Sequence, residues 1–505
     1  MKRYRYLPTY RYYDVEGCPL TLEKGIGKDI RNYKIYGNSV QDGTPTPDAP
    51  IEIESVGNKT KNLLPYPYYR STNENDNGMT YRDNGNGGIK VEGSPTGYSQ
   101  LVIMYGDIPS NLIGKKIFVK LLGEYNNIQF TFRLNEGNTT LYNGASSGTL
   151  NINLADYPTA DRVTFSISRY ANNVATNGIV YPVISVDEEM ETYEPYGKYK
   201  IPVKVRGKNL INNIALTQTT NGVTVTHNKD GSITLNGTCT ANFTVPIVGY
   251  TGYIAWDIPL SANTTYTLSG KGTLPSKVFM QSHGNVNGSA QYKTYSGNTP
   301  VTFTTAEAGK WSCYLNIQSG AVMDNVTIYP QMELGSKETE YEPYIEPVST
   351  TIYLEEPLRK VGDYADYIDF KNQKVVKNIK EVELNGAEGW IYKTDFNSFS
   401  YGDESFKTRQ IPICTHFKGI SSGILSNDNS ILINQEAIHL VKWDFNGDLE
   451  ALKDFLETSN VKFINVLAIS TEETIELPTL PTFKGTTIIE VDTTKPSNMI
   501  GQYYR

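Results

Sequence analysis

Histidine and cysteine are scarce in this 505-residue chain, with four of each. Cys18, Cys239, Cys313 and Cys414 are scattered and form no short pairing such as C-x-x-C. Spacing therefore excludes a disulfide scaffold and a zinc knuckle, and the four are expected as buried thiols. His227, His283, His416 and His439 never fall at the separation that sets two ligands on one element, so no metal and no cofactor is expected. Long apolar runs are also missing. Nothing approaches 18 consecutive apolar residues, and the basic, tyrosine-rich start Met1 to Gly17 has no apolar centre, so neither a membrane span nor a signal peptide is expected. There is no surplus of positive charge: the formal net charge is −8. A nucleic-acid partner is excluded because nothing is left over to neutralise phosphates, which leaves neutral partners such as sugars or protein surfaces.

Helical periodicity is nearly absent. Thirty-seven tyrosines, forty-three glycines and twenty-five prolines favour short strands joined by tight turns. Period-two alternation runs through Ile117, Val119 and Leu121, through Phe130 and Phe132, and through Val163, Phe165 and Ile167. One segment reads as helix, near 448–459, where Leu449, Leu452 and Leu456 share a face, Asp448 caps the start and Asn460 marks the stop. The fold class is mainly β.

The chain also repeats itself. "KNLL" at Lys61 returns as "KNLI" at Lys208, "GGIKVEG" at Gly87 as "GSITLNG" at Gly231, and "DIP" at Asp107 as "DIP" at Asp257. "VYP" at Val180 returns as "IYP" at Ile328, and "YEPY" at Tyr193 as "YEPY" at Tyr341. Five landmarks keep their order with offsets between 144 and 150 residues, which marks a duplicated module. Each copy, of about 140 residues, has the length and turn pattern of a two-sheet β-sandwich. Proline at the close of each copy ends a strand, and the flanking tyrosines are expected to pack as a lid on the sandwich edge. The division that follows is a leader over 1–60, sandwich modules over 61–200 and 201–347, and a C-terminal β-rich region with one helix over 348–505. The leader's "DGTPTPDAP" reads as a semi-rigid extended spacer and its tyrosine-rich start as a docking segment. Trp390 and Trp443 are expected as core anchors of the last region.

Catalytic signals are weak. "GASSG" (Gly144 to Gly148) and "GISSG" (Gly419 to Gly423) fit G-x-S-x-G, but both precede strand-like runs where a nucleophile elbow needs a helix. His416, Ser421, Asp403 and Asp428 are close in sequence without anything to position them as a triad. The acid-rich stretches Asp187 to Glu194 and Asp363 to Phe370 are the places to look for a glycosidase carboxylate pair, and the first coincides with a module exit. The expectation is a non-enzymatic protein.

Sugar binding needs an exposed aromatic face with hydroxyl-satisfying neighbours. Trp311 falls 148 residues after Val163, an alternating core position, and is assigned to packing. Trp256, standing against Gly106 of the first copy, is the first ligand candidate of copy two, followed by Tyr292 and Tyr295 in a loop "AQYKTYSG" and by His283 in a Gly/Asn/Ser-rich loop. In copy one the candidates are Tyr142, Arg169 and Tyr170.

The stretches Tyr33 to Leu64, the "YEPY" exits, Ile352 to Val376 and Leu477 to Val491 resemble tail-fibre or baseplate-associated minor structural proteins of long-tailed phages and prophages of low-GC Gram-positive bacteria. The inner copies resemble the jelly-roll carbohydrate-binding modules that such proteins carry. The resemblance implies a virion tail protein, made in the host cytoplasm and released by lysis. Its implied partners are other tail or baseplate proteins and host cell-wall polysaccharide, and its implied assembly is a homotrimer. The alternatives are a purely structural spacer or decoration without tight ligand binding and, behind it, an envelope-degrading glycosidase or esterase.

Overall fold

The computed structural model describes residues 20–22, 33–491 and 501–502, apart from 124–127, 145–146, 171–173, 187, 215, 249–257, 287–288, 395–396, 422–428, 435–436, 442–444 and 484–485. Cys18, Trp256, Trp443 and Asp428 lie outside the described residues.

Alternating apolar residues make copy one a two-sheet sandwich. Its strands are β1 (Thr72–Asp76), β2 (Met79–Gly85), β3 (Gly88–Gly93), β4 (Ser99–Asp107), β5 (Lys116–Gly123), β6 (Gln129–Leu134), β7 (Thr140–Gly144), β8 (Ser147–Asn151), β9 (Arg162–Arg169) and β10 (Thr176–Val186). One sheet runs β8-β5-β10-β3-β2-β1 and the other β7-β6-β9-β4, all neighbours antiparallel. Between them lie Tyr81, Val91, Ile117, Val119, Phe130, Phe132, Phe165 and Ile167, with Phe130 stacked on Phe165 at 5.1 Å. The alternating residues of "KIFVKLL", "QFTFRL" and "RVTFSIS" thus all meet in one core.

Copy two has strands β11 (Gln218–Thr220), β12 (Val223–His227), β13 (Ile233–Thr238), β14 (Phe243–Val248), β15 (Ile258–Leu260), β16 (Thr265–Ser269), β17 (Val278–Val286), β18 (Ser289–Ser296), β19 (Val301–Thr304), β20 (Gly309–Ile317), β21 (Val322–Ile328) and β22 (Gln331–Leu334). Its sheets run β14-β20-β17-β18 with β15 also on β20, β11-β12-β13-β21, and β19-β16-β22. The strand order is that of copy one, with β10 split into β21 and β22 around Tyr329 and Pro330, the counterparts of Tyr181 and Pro182. Cys239 and Cys313 are buried free thiols in this core, and Cys414 is one in the C-terminal region.

The repeated landmarks are the fasteners of each sandwich. Asn62 accepts from the amides of Leu64 and Ile184 at 3.0 and 3.2 Å, and Asn209 accepts from those of Ile211 and Met332 at the same distances. Each closing tyrosine folds back onto the tyrosine of the Tyr-Pro landmark: Tyr193 lies 4.9 Å from Tyr181, and Tyr341 lies 5.0 Å from Tyr329. Each also covers a hairpin glycine with positive φ, Gly87 (+78°) or Gly231 (+82°), where a Cβ would fall 1.7 or 2.4 Å from the tyrosine oxygen. Burial pushes both phenols up to about 12. In copy one only the first tyrosine of the signature makes the lid, since Tyr196 is exposed, whereas its counterpart Tyr344 is half-buried and burial pushes its phenol up to about 12.

The leader differs from expectation. Residues 33–56 are part of the C-terminal fold: the strand Lys34–Tyr36 pairs with Tyr367–Asp369 and with Gly501–Gln502, and Val56 exchanges backbone hydrogen bonds with Leu358. Ile35 is fully buried and Tyr33 nearly so, an apolar pair that alternation drives into a sheet. "DGTPTPDAP" closes on itself through reciprocal Thr46–Ala49 backbone bonds and is a turn where an extended spacer was expected.

In that C-terminal region, β23 (Lys374–Leu384) pairs along β24 (Val461–Thr474), and the helix α1 (Leu449–Ser459) buries Leu452 and Leu456 against Trp390, Phe399 and Phe463. Asp448 caps α1 by accepting from the Glu450 and Ala451 amides, both at 3.1 Å, and Asn460 ends it in the left-handed conformation. Trp390 is a core residue, as expected, and its indole N–H donates to Glu388 at 2.9 Å. Among the described residues, no helix is long and apolar enough to cross a membrane.

Two histidines here are held neutral. His416 sits 2.8 Å from Thr415 Oγ1 with its ring edge-on to Phe455, and His439 reaches Asn434 Oδ1 at 2.9 Å. Burial lowers both pKa values, and Lys393 adds to the effect on His439. The unfolded chain therefore takes up protons first as pH falls through about 6.5, and stability present above that pH is lost toward the lower folded values. The melting temperature should drop from pH 7.5 to 5, and His439→Gln should flatten that slope. A slope unchanged in the variant would remove His439 from this account.

Candidate functional site

Strands that bury one face must present the other, and here the outer face of one sheet in each copy carries the exposed aromatics. In copy two, Met280, Trp311, Cys313 and Leu315 point into the core, so Gln281, His283, Ser312 and Tyr314 stand on the opposite face, where Gln281 and His283 are half-buried and Ser312 and Tyr314 are buried. The β17–β18 register sets His283 opposite Tyr292, and their rings stack with centroids 4.3 Å apart and planes 9° from parallel. Tyr292 is 52% exposed. One row along, Gln281 Nε2 donates to Thr294 Oγ1 at 3.0 Å. Desolvation holds the His283 pKa below its ordinary value, so a neutral imidazole meets the tyrosine. The result is a flat aromatic surface bordered by amide and hydroxyl groups.

Copy one has a longer version. On the outer face of β7-β6-β9-β4 the cross-strand rows are Gln100–Ser168–Gln129, Val102–Ser166–Thr131–Asn143 and Tyr105–Thr164–Arg133. Short side chains along β9 form the floor, and longer ones on both sides form the walls. Exposed tyrosine pairs flank it. Tyr98 and Tyr170 lie 5.2 Å apart, with Tyr98 donating to Gln100 Oε1 at 3.0 Å. Tyr69 and Tyr105 lie 5.3 Å apart, with Arg162 donating to the Tyr105 hydroxyl at 3.2 Å. Tyrosine faces suit the C–H face of a sugar ring; Ser166, Ser168 and Thr131 of the floor are buried, so the groups within reach of its hydroxyls are the half-buried Gln100, Gln129 and Thr164 and the exposed Asn143.

Of the sequence candidates, the structure joins His283 with Tyr292 and leaves Tyr170 exposed. His283, Tyr292 and Tyr295 are on strands β17 and β18, a hairpin where loops were expected; Val286 pairs with Ser289, and the Asn-Gly between them in the sequence was the available hairpin signal. Tyr295 is 1% exposed and donates to the Gly272 carbonyl, so it has no face for a ligand. Arg169 is fully buried, its pKa lowered by desolvation, and it belongs to the interior. Tyr142 packs against the core edge over Gly144 and Gly148 and donates to the Ser147 carbonyl at 2.8 Å. Trp256 lies outside the described residues.

The candidate catalytic groups have other work. Asp366 is buried, and its carboxylate accepts from the amides of Arg359, Asn378 and Ile379 at 2.7 to 2.9 Å. Glu188, Glu189, Glu191 and Glu194 pair with Lys61, Lys120 and Lys200 around the exit of copy one. Asp403 accepts from Ser405, while His416 faces Thr415 and Phe455. Among the described residues, no group of three or more His, Cys, Asp or Glu has a metal-holding arrangement.

No protein-family model and no curated protein matches the sequence. Among solved structures the chain is similar to the tandem CBM22-1–CBM22-2 domain of Xyn10C from Paenibacillus barcinonensis, at 12% identity over 58% of this chain and 100% of that one, with a TM-score of 0.14.

Proposed function

We propose that the chain serves in a phage tail fibre or baseplate, where the outer faces of its two sandwiches attach to polysaccharide of the host cell surface. The observation that supports glycan binding is the exposed aromatic surface with hydrogen-bonding neighbours on the same sheet of both copies, above all the His283–Tyr292 stack beside Gln281 and Thr294. The virion setting rests on the resemblance of Tyr33 to Leu64, Ile352 to Val376 and Leu477 to Val491. Neither role requires the chain to be an enzyme. Two weak faces on one chain, multiplied in the trimer that the resemblance implies, raise apparent affinity by about 10²–10⁴ without any new contact.

The test is binding of the fluorescent full-length chain to intact host cells before and after chemical removal of wall polysaccharide. Binding is expected to vanish with the polysaccharide and to weaken roughly tenfold or more in Tyr292→Ala, the scale of losing one aromatic anchor. Equal binding to stripped cells would overturn the glycan reading. No binding to untreated cells would favour a purely structural spacer.

A further inference from the structure

The two faces carry different chemistry at one topological position. Arg133 pairs with Thr164 across β6 and β9, and His283 pairs with Ser312 across β17 and β20. Thr164 and Ser312 are equivalent in the repeat, so Arg133 and His283 are counterparts. In copy two the position holds an imidazole covered by Tyr292. In copy one it holds a half-buried guanidinium whose Nε is shielded from solvent and has no hydrogen-bond partner, and among the described residues no carboxylate pairs with it. Phe132 and Leu134 point into the core, which directs Arg133 to the outer face.

Withdrawing a guanidinium atom from water without a counter-charge is costly, and an arginine in that state is poised for an anion. Ser168, two rows along β9 from Thr164 and about 13 Å away at the rise of a strand, is fully buried with an unpartnered hydroxyl and lies out of reach of a group held on Arg133. On the other side of Thr164 stands Tyr105, 44% exposed, so ring-stacking and anion-binding groups flank one short threonine about 10 Å apart across three strands. The chain as a whole is acidic, at −8, so attraction to an anion is local and acts at short range, from Arg133 together with the exposed Arg162 one row along β9, which already donates to the Tyr105 hydroxyl.

We infer that the copy-one face takes an anionic group of a surface polymer, a carboxylate or a phosphate, on Arg133, while the copy-two face takes an uncharged saccharide. This rests on the glycan reading above for the polymer and on the Arg133 geometry for the charge.

The full-length chain is titrated with an oligogalacturonate, a glycerol-phosphate oligomer and a neutral N-acetylglucosamine oligomer. At least one anionic probe is expected to bind and to weaken with added salt. The preferred arm identifies the carboxylate or the phosphate as the source. Arg133→Met is expected to lose tenfold or more of that affinity with an unchanged or raised melting temperature, Arg133→Lys to lose less, and Tyr292→Ala to leave it intact. Equal anion binding by Arg133→Met, or no binding of either anionic probe, overturns the inference. Anion binding that depends on Arg133, together with full attachment to polysaccharide-stripped cells, would retain it and sink the glycan reading instead.

Discussion

Trp311→Ala should destabilise copy two by about 3–5 kcal/mol, the cost of emptying a large aromatic site in a core. The indole is 2% exposed and stacks on Phe303 at 5.0 Å. It also lies over Gly284, where a Cβ would come within 2.2 Å of the ring, so the neighbouring strand has been kept bare to admit it. Trp311→Phe keeps part of the contact and should cost less than half as much. Urea melts followed by circular dichroism report the shift as an early transition belonging to copy two. A transition that stays in place would mean that the core relaxes around the cavity.

Asn209→Ala should have a comparable effect for a different reason. Its side chain accepts from two backbone amides and donates to the carbonyls of Pro330 and Glu342 at 3.0 and 3.1 Å. Alanine strands these buried groups, and each buried group left unpaired costs roughly 1–3 kcal/mol, so a loss of about 3 kcal/mol or more is expected. Asn209→Asp preserves the acceptor and loses the donors, and it should fall between. Asn62→Ala should do the same to copy one through Leu64 and Ile184. Limited proteolysis distinguishes the two, since each variant should open cleavage within its own copy. Cleavage spread over both copies in either variant would contradict this assignment.

Features governed by local chemistry were legible in the sequence. The cap at Asp448 and the left-handed stop at Asn460 bound the helix where their side-chain chemistry predicts. Trp311 was recognisable as packing because the repeat placed it over an alternating position. Tyr105 was not legible. The β4–β9 pairing slips between Phe165 and Ser166, so Ile103 and Met104 both point inward and the parity beyond them is reversed. Strict alternation from Leu101 would bury Tyr105, whereas it is 44% exposed. The leader was misread because its partners, Tyr367–Asp369 and Leu358, are more than 300 residues away, and pairing at that distance leaves no local trace. Arg133 reads in sequence as an ordinary outward strand residue; its missing partner is a three-dimensional fact.

The pairing of residues 33–56 with strands beyond residue 357 sets a timetable for the nascent chain. Each sandwich draws its strands from one contiguous stretch and has all of its partners once about 150 residues have emerged. The C-terminal region does not, because Lys34–Tyr36 needs a strand made more than 300 residues later, and Leu20–Leu22 needs Thr487–Val491. Such distant closure is slow, and until it occurs the early strands expose unpaired edges. Translation halted before residue 487 should therefore release a chain with finished sandwiches and sticky, unclosed ends, and the seam closes only once Thr487–Val491 has been made.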